Sequence, residues 1–149
     1  HLTAMGNVAT ALLYRNMTKA ERKDQAMEAL TKVGLAERHD HRPVQMSGGE
    51  QQRVALARAI VTDPLMILAD EPTGALDTKN AAMVMEIFKD LQGENRAIVV
   101  VTHDLEIAEQ MDRVVSMRDG KIISDDLNRE RTESLQDQFW ESGGGTKLE

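Results

Sequence analysis

The chain has 149 residues, a formal net charge of −7 and 41% hydrophobic residues. That is one ordinary domain or a piece of a larger one, and the acidic balance argues against a general nucleic-acid binder. With no cysteine there is neither a disulfide framework nor a Cys-based zinc site, and no apolar run approaches the ~18 residues of a membrane span.

The elements follow in chain order. Residues 3–14 (TAMGNVATALLY) read as a short apolar helix. Thr18 and Glu21 have the spacing of a capping box and open a helix through Val33, with Ala26, Leu30 and Val33 on one face and Gly34 at its C-terminal end. A polar connection, His39 to Pro43, leads to a second capping box at Ser47 and Glu50. The helix it opens runs to about Val61, where Asp63-Pro64 stops it. Two unbroken apolar runs follow, Leu65 to Ala69 and Ala97 to Val101, separated by an amphipathic helix from Thr78 to about Gln92 that carries Ala81, Val84, Phe88 and Leu91. Apolar runs alternating with amphipathic helices predict a buried parallel sheet with crossover helices, an α/β fold. A further helix, Leu105 to Met111, precedes strands at Val114–Met117 and Lys121–Ser124, joined by the Asp119-Gly120 hairpin signal. Residues 126–149 turn polar and end in SGGGTKLE, a tail expected to be partly disordered or cloning-derived.

Three short stretches carry chemistry. Gly48 and Gly49 occupy the first turn of a helix, where glycine costs stability. A backbone kept free of side chains at a helix N-terminus suits close contact with an anion; two tolerated glycines behind an ordinary cap are the plain alternative. Asp70-Glu71 ends a predicted parallel strand, where α/β sheets bind their ligands. Two adjacent acids there suit magnesium-assisted phosphate chemistry, one near the metal and one polarising a water, although Asp-Glu-Pro also serves simply to end a strand. His103 lies just past the next strand, at the same predicted sheet end, and a lone histidine is more often structural than catalytic.

Together these stretches resemble a known family. Met46-Ser47-Gly48-Gly49-Glu50-Gln51-Gln52-Arg53 looks like the signature motif of ABC transporter ATPase domains, and Leu65 to Glu71 resembles the Walker B strand with its catalytic glutamate. Gly74-Ala75-Leu76-Asp77 is similar to the D-loop and Thr102-His103-Asp104 to the switch-histidine loop. The resemblance covers roughly residues 1–124 and is strongest to the lipoprotein-releasing and macrolide-export subgroup. It implies the C-terminal part of a P-loop NTPase (RecA-like) core, residues 63–125, preceded by a helical signature subdomain, residues 1–62.

By resemblance, Asp70 helps bind Mg2+, Glu71 is the general base and His103 contacts the γ-phosphate of ATP. Ser47, Gly48, Gly49 and Glu50 face a nucleotide held by a second ATPase domain, and Asp77 couples the two sites. The implied setting is the cytoplasmic face of a membrane, with the helical segment against a permease subunit. Two signature positions depart from the family pattern. Glu50 stands where Gln is common, and Met46 where Leu is usual. Glu50 brings a negative charge close to the expected phosphate, and capping is its other candidate role.

No G-x-x-x-x-G-K-[ST] loop occurs in these residues, and nothing else supplies its phosphate cradle. The adenine-stacking aromatic and the Q-loop glutamine of the family pattern are missing as well; the resemblance places His1 just after that glutamine. The expectation is therefore an ABC ATPase segment that binds ATP weakly or not at all and does not hydrolyse it alone. The alternative is a binding module that pairs with a complete ATPase domain or a permease without catalysis. In the family, the phosphate-loop strand lies between the two sheet portions present here. Exposed strand edges are expected without it, and with them a homo-oligomer or swapped assembly.

Overall fold

The computed structural model describes residues 2–93 and 96–128. Two compact units divide between Val101 and Thr102.

The first unit opens with α1 (Ala4–Thr10), capped by Thr3, whose hydroxyl accepts from the Gly6 N–H at 3.2 Å. The next orphan donors at this helix end reach across the chain. The N–H groups of Ala4 and Met5 donate to the carbonyls of His41 and His39, both at 2.8 Å. The expected helix over 3–14 is thus shorter than its apolar pattern, and residues 11–14 form turns. Apolar residues continue past Thr10, so periodicity alone does not mark where the helical bonds stop.

Helix α2 (Lys19–Lys32) has the reciprocal Thr18–Glu21 capping box that the spacing predicts. Ala26, Leu30 and Val33 are fully buried, and Gly34 ends the helix at φ +69°, a conformation that favours glycine. Two short 3-10 turns, Ala36–Arg38 and Pro43–Gln45, lead to α3 (Gly48–Ile60). Val54, Leu56, Ala57 and Ile60 of α3 are buried, as are Val8 of α1 and Leu12 just after it. Helices α1, α2 and α3 pack on one another to form most of this core.

Strands β1 (Met66–Asp70) and β2 (Ala97–Val101) pair in parallel, with Asp70 opposite Val101, so both end at the same edge. Helix α4 (Thr78–Gly93) connects them and buries Val84, Met85, Phe88 and Leu91. The parallel pairing is as expected; the burial is not. Ile67 and Ile98 share the covered face, whereas Leu68 is 75% and Val101 60% exposed on the other. An unbroken apolar run predicts two covered faces. Here the alternate positions of both strands are open among the described residues.

In the second unit, α5 (Leu105–Ala108) is capped by Asp104 and is shorter than the expected Leu105–Met111 helix. Strands β3 (Arg113–Arg118) and β4 (Lys121–Leu127) form an antiparallel hairpin. Asp119 (φ 51°) and Gly120 (φ 74°) make the tight turn that Asp-Gly predicts. β4 runs to Leu127, so the polar sequence from Asp126 starts inside the strand; residues 129–149, which hold most of the expected tail, lie outside the described residues. Among the described residues β1–β2 and β3–β4 are separate two-stranded sheets, in keeping with the expected unpaired edges.

Candidate functional site

Ser47 caps α3 as its spacing predicts. Its hydroxyl accepts from the Glu50 N–H at 3.2 Å, and the Glu50 carboxylate accepts from the Ser47 N–H at 2.8 Å. The first N–H groups of a helix have no acceptor within it. With that of Glu50 taken by Ser47, Gly48 and Gly49 supply the remaining donors at this positive end.

The two glycines differ in kind. A Cβ on Gly48 would meet nothing within 4 Å, so its face is open. A Cβ on Gly49 would lie 2.5 Å from Cγ of Asn80 and 2.6 Å from its Oδ1, a distance no real contact tolerates. Gly49 is therefore required by the chain's own packing, whereas the side-chain face of Gly48 is open.

Asn80 is the centre of a short polar relay. Its Oδ1 accepts from Arg53 Nη1 at 2.8 Å, and its Nδ2 donates to Asp77 Oδ2, also at 2.8 Å. The Asn80 backbone N–H donates to Asp77 Oδ1 at 2.8 Å, which makes Asp77 the cap of α4. These bonds hold the Asp77 carboxyl below its ordinary range, the backbone bond first. Arg53 is 7% exposed, and its Nε is buried without a hydrogen-bond partner. The start of α3 and Asp77, the residue expected to couple two sites, are thus joined through one amide side chain.

Glu50 is held on both oxygens. Oε2 takes the Ser47 N–H, and Oε1 accepts from Arg38 Nε at 2.9 Å. The Arg38 guanidinium, followed by the Ser47 backbone bond, lowers the Glu50 pKa from an ordinary 4.5 to about 2. A carboxyl with a depressed folded pKa contributes stability that is present above its unfolded pKa and is lost as pH falls through the folded one. We expect the wild-type chain to exceed Glu50→Gln by about 1 kcal/mol at pH 6, a capping and ion-pair value. That margin should shrink between pH 4.5 and 2 in thermal melts followed by circular dichroism; a margin that does not change with pH would contradict this assignment.

Asp70 is the last residue of β1 and exposed; Glu71 follows at φ +44°, in the left-handed region. A non-glycine residue there costs about 1–3 kcal/mol and persists only where its surroundings enforce it. The Glu71 N–H donates to the Val101 carbonyl at 2.8 Å and its carbonyl accepts from Gly74 at 3.3 Å, which locks the turn. Buried Thr73 lies inside this turn. No group of three or more His, Cys, Asp or Glu capable of holding a metal occurs among the described residues. Mg2+ is usually bound through one or two carboxylates, with water and substrate phosphates completing its octahedron, so Asp70 fits as a single protein ligand.

His103 belongs to the second unit, two positions past β2, and is exposed. Asp104 caps α5 by accepting from the Glu106 N–H at 2.9 Å, while its own N–H donates to Thr102 Oγ1 at 3.1 Å. The structure brings Ser47, Gly48, Gly49, Glu50 and Asp77 together through Asn80. Asp70 and Glu71 sit at the common end of β1 and β2. Arg38 and Asn80 were not legible as site residues. Asn80 lies three residues after Asp77, a capping interval, but nothing in the sequence signals its reach to α3.

The family described as ABC transporter matches residues 1–74. An ABC transporter ATP-binding protein of Bacillus subtilis (strain 168), YvrO, is 47% identical over 125 residues. The chain belongs to the ABC transporter ATPase family. The alignment to YvrO covers 84% of this chain and 55% of that protein, so the chain spans about half of such a relative. The macrolide export ATP-binding/permease protein MacB of Chlorobaculum tepidum is 51% identical over 83% of this chain and 19% of its own length. Among solved structures, the dimeric ATP-binding cassette MJ0796 bound to ADP and Pi matches with a TM-score of 0.76 at 40% identity. That match covers 85% of this chain and 56% of the cassette. The fold is accordingly the RecA-like P-loop NTPase fold of ABC ATPases, α/β with parallel strands as expected.

Proposed function

We propose that this chain supplies the outward-reaching half of a composite ATP site in an ABC transporter, by placing the N-terminus of α3 against the γ-phosphate of a nucleotide held by a second ATPase domain. The observation that carries this is the open backbone of Gly48 beside a Ser47-capped helix end. In this reading Ser47, Gly48 and Gly49 contact the phosphate, with Glu50 closing the cap, and Asp77 relays the state of that contact towards the partner's site. Bound Mg2+ would supply charge neutralisation on the phosphates, with Asp70 as its protein ligand and Glu71 as the base for the attacking water. His103, in the second unit, takes its role as a γ-phosphate contact from the resemblance alone.

No phosphate loop occurs in these residues, so the reading is confined to the half of the site that they carry. The matched cassette is described as dimeric, which supports assembly with a second ATPase domain. A permease subunit at the cytoplasmic membrane face completes the proposed setting, and no helix among the described residues is long and apolar enough to cross a membrane.

The test is pairing. Chain labelled at its N-terminus is titrated with complete B. subtilis YvrO in MgCl2 and a non-hydrolysable ATP analogue, with fluorescence anisotropy as the readout. Binding that requires the nucleotide supports the reading, and binding that ignores it or is absent overturns it.

A further inference from the structure

An acidic residue in the first turn of α3 is awkward for a phosphate-facing helix end. The helix N-terminus favours a carboxylate for the same reason that it favours a phosphate, so two anions would compete for one field. The structure answers this with a cation from another element. Arg38, the last residue of the Ala36–Arg38 turn, donates from Nε to Glu50 Oε1 at 2.9 Å. The second oxygen of Glu50 is held by the Ser47 N–H at 2.8 Å. Arg38 is itself placed by His41, whose Nε2 lies 3.0 Å from Arg38 Nη1 and whose Nδ1 lies 2.9 Å from Asp40 Oδ1. Glu50 is only 17% exposed, so water screens the pair less than it would a surface pair.

We infer that Arg38 is the positioning residue that makes an acidic signature position compatible with phosphate: it cancels the Glu50 charge and pins the carboxylate against the Ser47 N–H, beside the open Gly48 backbone. The inference rests on the proposed role of α3 and deepens it. Its consequence is a matched pair. Glu50 without Arg38 repels the phosphate; a neutral side chain at Glu50 has no need of Arg38.

The same anisotropy titration with YvrO, MgCl2 and the non-hydrolysable ATP analogue tests this. Arg38→Ala should weaken pairing about tenfold, the scale of one unpaired charge near another in a partly screened site. Arg38→Lys should stay within about threefold of wild type, because the charge is kept. Arg38→Ala should cost less than about threefold when Glu50→Gln is already present, so that the double variant pairs like the Glu50→Gln single variant. An undiminished cost of Arg38→Ala in the Glu50→Gln background would show that Arg38 acts as a structural support and overturn the inference. So would an Arg38→Ala chain that pairs like wild type. Arg38→Gln carries the same expectation without charge and replaces the alanine variant if that one loses its helical circular dichroism. If the wild-type chain does not pair at all, the functional reading fails and this inference falls with it; wild-type pairing with indifferent variants overturns the inference alone.

Discussion

Gly49→Ala is expected to destabilise the chain by about 2 kcal/mol, the cost of forcing a methyl into a filled site less the gain from alanine in a helix. Gly48→Ala, one residue earlier, should instead stabilise by about 0.5–1 kcal/mol, the ordinary helical advantage of alanine over glycine. The opposite signs come from a single neighbour. A Gly49 methyl would sit 2.5 Å from Asn80 Cγ, whereas a Gly48 methyl would meet nothing within 4 Å. Urea unfolding of both variants, followed by helical circular dichroism, measures the contrast. Asn80→Ala removes the two nearest offending atoms and leaves Cβ at 3.0 Å, which a small shift relieves. Adding Gly49→Ala to Asn80→Ala should therefore cost about 0.5 kcal/mol or less. An undiminished cost in that background would mean that something other than Asn80 demands the glycine. Pairing gives the second readout. Gly48→Ala should weaken nucleotide-dependent pairing with YvrO about tenfold despite the greater stability, as loss of one charge-assisted backbone contact predicts.

Arg53→Ala should cost about 3 kcal/mol, combining a lost hydrogen bond to Asn80 with the cavity left by a buried stem. Arg53→Met should cost about 1 kcal/mol or less, since the stem volume is kept and a buried, unpartnered Nε is removed. Arg53 is 7% exposed, and its Nη1 bonds Asn80 Oδ1 at 2.8 Å and approaches Met83 Sδ at 3.9 Å. Neither variant touches the Asp77–Asn80 bonds, so the cap of α4 should persist in both. Equal losses for alanine and methionine would show that the guanidinium bond, not the packed stem, carries the stability. Asn80 would then depend on Arg53 to hold the signature helix to α4.

Much of this molecule was legible one residue at a time. The capping boxes at Thr18–Glu21 and Ser47–Glu50 are interactions across three residues, and spacing alone specifies them. β2 begins and ends where the AIVVV run does, because β-branched residues bounded by polar ones leave little choice. Asp119-Gly120 makes its turn for the same local reason. Helix ends were less legible. α1 and α5 stop before their apolar patterns do, because an apolar pattern marks which side chains can be buried and not where the helical hydrogen bonds end. Sheet burial was not legible at all. A run such as Leu65 to Ala69 says that apolar surface exists, not which neighbour covers it.

The signature pair shows the division most plainly. Sequence alone marked Gly48-Gly49 as glycines placed where a helix pays for them, put Ser47 and Glu50 in a reciprocal cap, and set Asp70-Glu71 at a strand end. Only the tertiary structure assigned the two glycines different causes and gave Glu50 its counter-charge. Asn80 and Arg38 reach α3 from 31 and 12 residues away, counted to Gly49 and Glu50 respectively. Contacts over such separations are set by how helices and turns pack, and no local periodicity encodes them.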